Sequence, residues 1–234
     1  MDTWIVTGGT RGLGRAIADF LIGSGDAVAF CARTPGEVAR VEQELQARGP
    51  ALGMAGSIAD PAFVRGFVEQ ARTLGGLRGL ILNAAVLPNP PLSPVVSLSA
   101  DEVRRVLDIN LLGALHLLQA AHPYLIRHDK PRVAAITSDA AWAGYAGWAA
   151  YGLTKAALEL LVLTYGAEQA DVPAVAIDPG DMDTAMHREA LPEDDSNLRD
   201  PRAIAPAIAA LLRRTSGVAG RWVFDGTDVS REVK

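Results

Sequence analysis

The chain has 234 residues, 49% of them apolar and 6% aromatic, with a net charge of −5. That size suits one α/β domain spanning 1–234, and the acidic balance excludes broad nucleic-acid binding, so any anion site must be local. Cys31 is the only cysteine, which rules out an internal disulfide and fits a reducing compartment.

The first residues run directly into an apolar strand at 3–7, leaving no room for a leader peptide. The longest candidate for a membrane span, 111–126, is broken by two histidines and a glutamine. A cytoplasmic protein with no membrane partner is therefore expected. Helical spacing follows at 15–25, a second strand at 27–31, and a charged helix at 35–48. A weak strand at 52–56 precedes a helix at 61–74 with proline in its first turn. A strand at 79–82 leads into a long helix at 99–127, where Ser99 and Glu102 form a capping box. The remaining elements are a strand closing at Ser138, a helix at 151–170, a strand at 174–177, a helix at 201–214 and a strand at 222–224. Strands that are apolar without alternation, separated by helices, indicate a mainly parallel, doubly wound sheet of about seven strands covered on both faces. Two loops are long, 83–98 with four prolines and the acidic 179–200. Both follow strands, where open α/β sheets bind ligands, and the second has the length of a lid or binding loop.

Between the first strand and first helix stands Thr7-Gly8-Gly9-Thr10-Arg11-Gly12-Leu13-Gly14. Glycines there permit a tight turn and let the backbone approach a pyrophosphate held at the helix N-terminus. The second strand ends Cys31-Ala32-Arg33-Thr34, without the acidic side chain that usually accepts from the ribose 2′-hydroxyl of NAD. Arg33 can instead offer a planar fork to a 2′-phosphate and Arg11 a second charge, which predicts NADP(H) in preference to NAD(H).

Further along, Tyr151 and Lys155 are four apart in an Ala/Leu-rich run, hence on one helical face, and Ser138 closes an apolar strand upstream. An ammonium about 4–5 Å from the phenol would stabilise the phenolate by some 3–4 kcal/mol at an effective dielectric near 20. That predicts a Tyr151 pKa lowered from about 10 toward the working range of a general acid–base. Ser138 would hydrogen-bond the oxygen on which charge develops.

Gly8, Gly12, Gly14, Asn83-Ala84-Ala85, Asn110, Ser138, Tyr151, Lys155 and Pro179-Gly180 stand in an order and spacing that resembles the short-chain dehydrogenase/reductase family, across residues 3–226. The resemblance implies a three-layer Rossmann fold and interconversion of a carbonyl and an alcohol. By the same resemblance, Asn83-Ala84-Ala85 steadies the sheet and touches the adenosine ribose, and Asn110 holds a water for proton relay. Lys155 binds the nicotinamide ribose, while Pro179, Gly180, Met182 and Thr184 contact the nicotinamide. Ser57 and Ile58 stand where the family has an aspartate near the adenine, and Ala85 replaces a glycine. Relatives pair through the helices corresponding to 99–127 and 151–170, which implies a homodimer or homotetramer. The short polar segment 226–234 argues against the tetramer.

Ala140, Trp142, Tyr145, Trp148 and Met186, with Ser138, are the candidates for the substrate pocket, whose apolar and aromatic walls suit a small neutral carbonyl compound. His116, His122, His128 and His187 lack metal-ligand spacing, so no metal is expected. The alternative is a catalytically silent NADP(H)-binding regulatory protein of the same fold.

Overall fold

The computed structural model describes residues 1–214, 216–224, 226 and 228–232. Strands β1 (Asp2–Thr7), β2 (Ala27–Ala32), β3 (Ala51–Ala55), β4 (Gly76–Leu82), β5 (Arg132–Ile136), β6 (Ala174–Asp178), β7 (Gly220–Phe224) and β8 (Val229–Arg231) form one sheet, ordered β3-β2-β1-β4-β5-β6-β7-β8. The first seven are parallel and β8 runs antiparallel to β7.

Successive side chains on a strand point to opposite faces, and here both faces are apolar. Trp4 and Val6 enter one core with α1 (Gly12–Gly23), α2 (Pro35–Gln46) and α8 (Pro201–Arg213). Ile5 enters the other core with α3 (Pro61–Ala71), α5 (Gly113–Leu125) and α6 (Ala149–Glu168). At about 1.5–3 kcal/mol for each large apolar side chain removed from water, the two cores oppose the entropy of ordering the chain.

Three expectations change. Among the described residues there are eight strands, because β8 pairs Phe224 with Val229 and Trp222 with Arg231; its three residues carry no apolar run, and the expected polar tail 226–234 falls partly outside the described residues. The helix expected at 99–127 is divided into α4 (Ala100–Leu107) and α5 by a wide π turn, Asp108–Leu112. Only half of the capping box forms: Ser99 Oγ accepts from the Glu102 amide at 3.1 Å, but Glu102 accepts from the Asn89 amide at 2.5 Å and so holds the proline loop. Within 179–200 lies a short helix, α7 (Ala185–Ala190), capped by Thr184, and a single bridge ties Met182 to Arg199. Among the described residues no helix is long and apolar enough to cross a membrane.

Strand order reverses between β1 and β4, and a cleft of about 630 Å³ opens at the carboxyl ends of the strands around that point.

Candidate active site

At one end of the cleft the turn from β1 to α1 passes through Gly8 at φ +69° and Gly12 at φ +56°, values that disfavour side chains with a Cβ. No side chain caps α1, so the amides of its first turn remain available to an anion. The turn is braced from β4. Asn83 Nδ2 donates to the Thr7 carbonyl at 2.8 Å, and Thr7 Oγ1 accepts from the amides of Asn83 and Ala84 at 3.0 and 2.9 Å. Gly14 alone among the expected coenzyme residues is not on the cleft wall. A Cβ there would stand 2.4 Å from the Gly8 carbonyl oxygen and 2.5 Å from Asn83 Nδ2, so this glycine lets α1 close on the turn.

The other expected coenzyme residues all line the cleft. Thr10, Arg11 and Leu13 lie beside the turn; Arg33, Thr34, Ser57 and Ile58 follow at the ends of β2 and β3; Ala84 and Ala85 follow β4. Pro179, Gly180, Met182 and Thr184 complete it from the loop after β6. An uncapped helix start and two turn glycines, beside the exposed Arg11 and Arg33, suit the phosphates of a dinucleotide. Glu37, in the first turn of α2, also reaches this wall; it lies beyond the strand end where a carboxylate was sought.

At the other end, Tyr151 and Lys155 lie one turn apart on α6, 8% and 2% exposed. Lys155 Nζ donates to the Ile136 carbonyl at 2.6 Å, and Trp148 meets the Tyr151 ring edge-on at 5.6 Å. Ser138 lines the same cleft. Its Oγ donates to Asp139 Oδ1 at 2.9 Å and accepts from the Ala140 amide at 3.2 Å, while Tyr145 donates to Asp139 Oδ2 at 2.6 Å. Burial pushes Lys155 down to about 8, opposed by the nearby Asp178 carboxylate. The Tyr151 phenol is raised, not lowered: burial disfavours the phenolate, and the negative fields of Asp178 and Asp139 add to that. The expectation from the lysine is thus corrected, since it left out the burial of the phenol itself and the two acids.

Asn110 is also relocated. It sits in the π turn, 1% exposed and off the cleft wall, with Oδ1 accepting from the Val86 amide and Nδ2 donating to the Val86 carbonyl and Thr154 Oγ1. Both amide protons are thereby used, and its neighbour Ile109 faces the cleft instead. Of the expected substrate residues, Ser138, Trp148 and Met186 line the cleft. Ala140, Trp142 and Tyr145 do not: Ala140 is buried, Tyr145 holds Asp139, and Trp142 lies 4.8 Å from the Arg221 guanidinium. Val86, Asp139, Asp178 and Asp181 reach the wall although the sequence did not single them out for it, and His187 reaches it from the expected lid.

Three comparisons bear on this arrangement. Residues 2–195 match the family model for short chain dehydrogenases. An uncharacterized oxidoreductase of Schizosaccharomyces pombe is 28% identical across 94% of each chain, and a benzil reductase ((S)-benzoin forming) of Bacillus subtilis is 29% identical across 96% of this chain and 98% of its own. An alcohol dehydrogenase from the archaeon Thermococcus sibiricus, complexed with 5-hydroxy-NADP, superposes with a TM-score of 0.86 at 25% identity over 96% of each chain.

Proposed function

The chain belongs to the short-chain dehydrogenase family of oxidoreductases, and on that premise we propose that it is an NADP(H)-dependent carbonyl reductase acting from a single domain, residues 1–234. The observation that carries the reading is the buried Tyr151–Lys155 pair, set in one cleft with an uncapped helix N-terminus.

Bound NADPH would supply the hydride. Tyr151, whose raised pKa keeps it protonated at neutral pH, donates its proton to the carbonyl oxygen. Ser138 turns its hydroxyl from Asp139 to that same oxygen as negative charge develops there. Lys155 has three donors, one of them held by Ile136, which leaves two for the ribose hydroxyls. Arg11 and Arg33 pair with the 2′-phosphate, and the NADP analogue in the Thermococcus sibiricus protein supports that preference. Val86, Trp148 and Met186 present an apolar wall that suits a hydrophobic ketone, aldehyde or diketone, in keeping with the Bacillus subtilis benzil reductase. Exposed Leu153 and Leu160 on α6 support a homodimer, and a lone buried thiol supports a cytoplasmic setting.

The test is a panel of aldehydes, ketones and aromatic diketones with NADPH and NADH. Tyr151→Phe is expected to lower kcat by about 100-fold or more, with NADPH affinity by fluorescence titration nearly unchanged. Turnover retained in that variant would assign the proton to another group.

A further inference from the structure

From the cleft wall at Asp178 a charge cluster extends behind it around Arg221, a residue with no part in the chemistry described above. Arg221 of β7 is 9% exposed. Its Nε donates to Glu159 Oε2 at 3.2 Å, one terminal nitrogen donates to Asp178 Oδ2 at 3.0 Å, the other pairs with Glu232, and its face covers the Trp142 ring at 4.8 Å. Glu159 also accepts from Thr137 Oγ1 at 3.2 Å, and Asp178 Oδ1 accepts from the Gly180 amide at 3.0 Å.

Apart from Glu232, each partner belongs to a segment that carries part of the proposed site. Thr137 directly precedes Ser138, and Trp142 lies in the loop that follows it. Glu159 stands one turn beyond Lys155, so Tyr151, Lys155 and Glu159 share one face of α6. Asp178 opens the turn through Pro179 and Gly180, and it is itself on the cleft wall.

We propose that Asp178 and Arg221 form a positioning pair for the reaction, Arg221 fastening the segments that carry Ser138, Tyr151 and Lys155, and Asp178 serving as the fixed counter-charge of Lys155. This rests on the carbonyl-reductase reading. The charged and titratable groups around Asp178 are Arg221 from β7, Tyr151 and Lys155 from α6, and Asp139 from the loop after β5, with Glu159 and Glu232 on the far side of Arg221. Asp178 opposes the loss of the Lys155 proton that burial favours. Arg221 in turn offsets the burial that raises the Asp178 carboxyl. A planar guanidinium reaches three carboxylates and one ring face at once, which an ammonium cannot do.

The experiment compares the full chain with Asp178→Asn, Arg221→Lys and Tyr151→Phe. A nearby opposite charge moves a pKa by about 1–3 pH units. The alkaline limb of kcat/KM in Asp178→Asn is therefore expected about half a pH unit or more below wild type. Arg221→Lys keeps the charge and loses the fork; it is expected to leave that limb in place and lower kcat by about five-fold or more, with the KM for NADPH unchanged. A superimposable pH profile in folded Asp178→Asn, even with a lower melting temperature, overturns the proposal. If Asp178→Asn does not fold, wild-type kcat in Arg221→Lys overturns it. Activity retained in Tyr151→Phe removes the carbonyl-reductase reading itself. An inactive Tyr151→Phe beside wild-type behaviour in the other two removes the positioning pair alone.

Discussion

The ammonium of Lys155 lies 5.3 Å from the centre of the Tyr151 ring, and both side chains are buried on one face of α6. The pair is held ready at a cost, because the charged lysine has left water and its bond to Ile136 only partly replaces hydration.

That cost has a readable pH dependence. In the unfolded chain the lysine titrates near 10.5, and in the folded chain burial brings it to about 8. Between pH 8 and about 10 the unfolded state binds more protons, so this lysine makes stability rise with pH across that window and withdraws the gain as pH falls through 8. At 1.36 kcal/mol per pH unit the full effect is about 3 kcal/mol. Lys155→Met removes it. The stability of that variant relative to wild type, by urea unfolding, is expected to fall by about 1–3 kcal/mol from pH 7 to pH 10. A constant difference would mean that the lysine is not depressed.

Arg33 and Arg11 make coenzyme preference testable apart from chemistry. Arg33 is exposed at the end of β2, with Glu37 on the same wall. A hydrogen bond to a charged group contributes about 1.5–3 kcal/mol, so Arg33→Ala should weaken NADPH by about 10- to 100-fold and leave NADH nearly unchanged. Titration of intrinsic or coenzyme fluorescence measures both. Equal losses for the two coenzymes would place Arg33 away from the 2′-phosphate.

Gly14 tests the turn. Its Cβ position is already filled by the Gly8 carbonyl and the Asn83 amide, so Gly14→Ala must push α1 off the turn. A loss of about 1–3 kcal/mol is expected, together with weaker NADPH binding. Gly36→Ala is the control, because nothing lies within 4 Å of a Cβ there. Equal melting temperatures for the two variants would contradict the packing assigned to Gly14.

What could be read along the chain was whatever depends on neighbours in sequence. Apolar runs marked β1, β2, β5 and β6, turn glycines marked the start of α1, and four-residue spacing put Tyr151 and Lys155 on one face. The residues expected to hold a coenzyme line the cleft with one exception, Gly14, whose contact partner Asn83 lies on another strand's turn. Tertiary structure alone decided that Asn110 would be consumed by Val86 and Thr154, and that Trp142 would lie against Arg221 instead of the cleft. It also decided the protonation balance. Asp178, Glu159 and Arg221 are far apart in sequence, and only the parallel register of β6 with β7 and the seat of α6 bring them together. A desolvated charge answers to whichever charges surround it in space, and no periodicity in the chain records that neighbourhood.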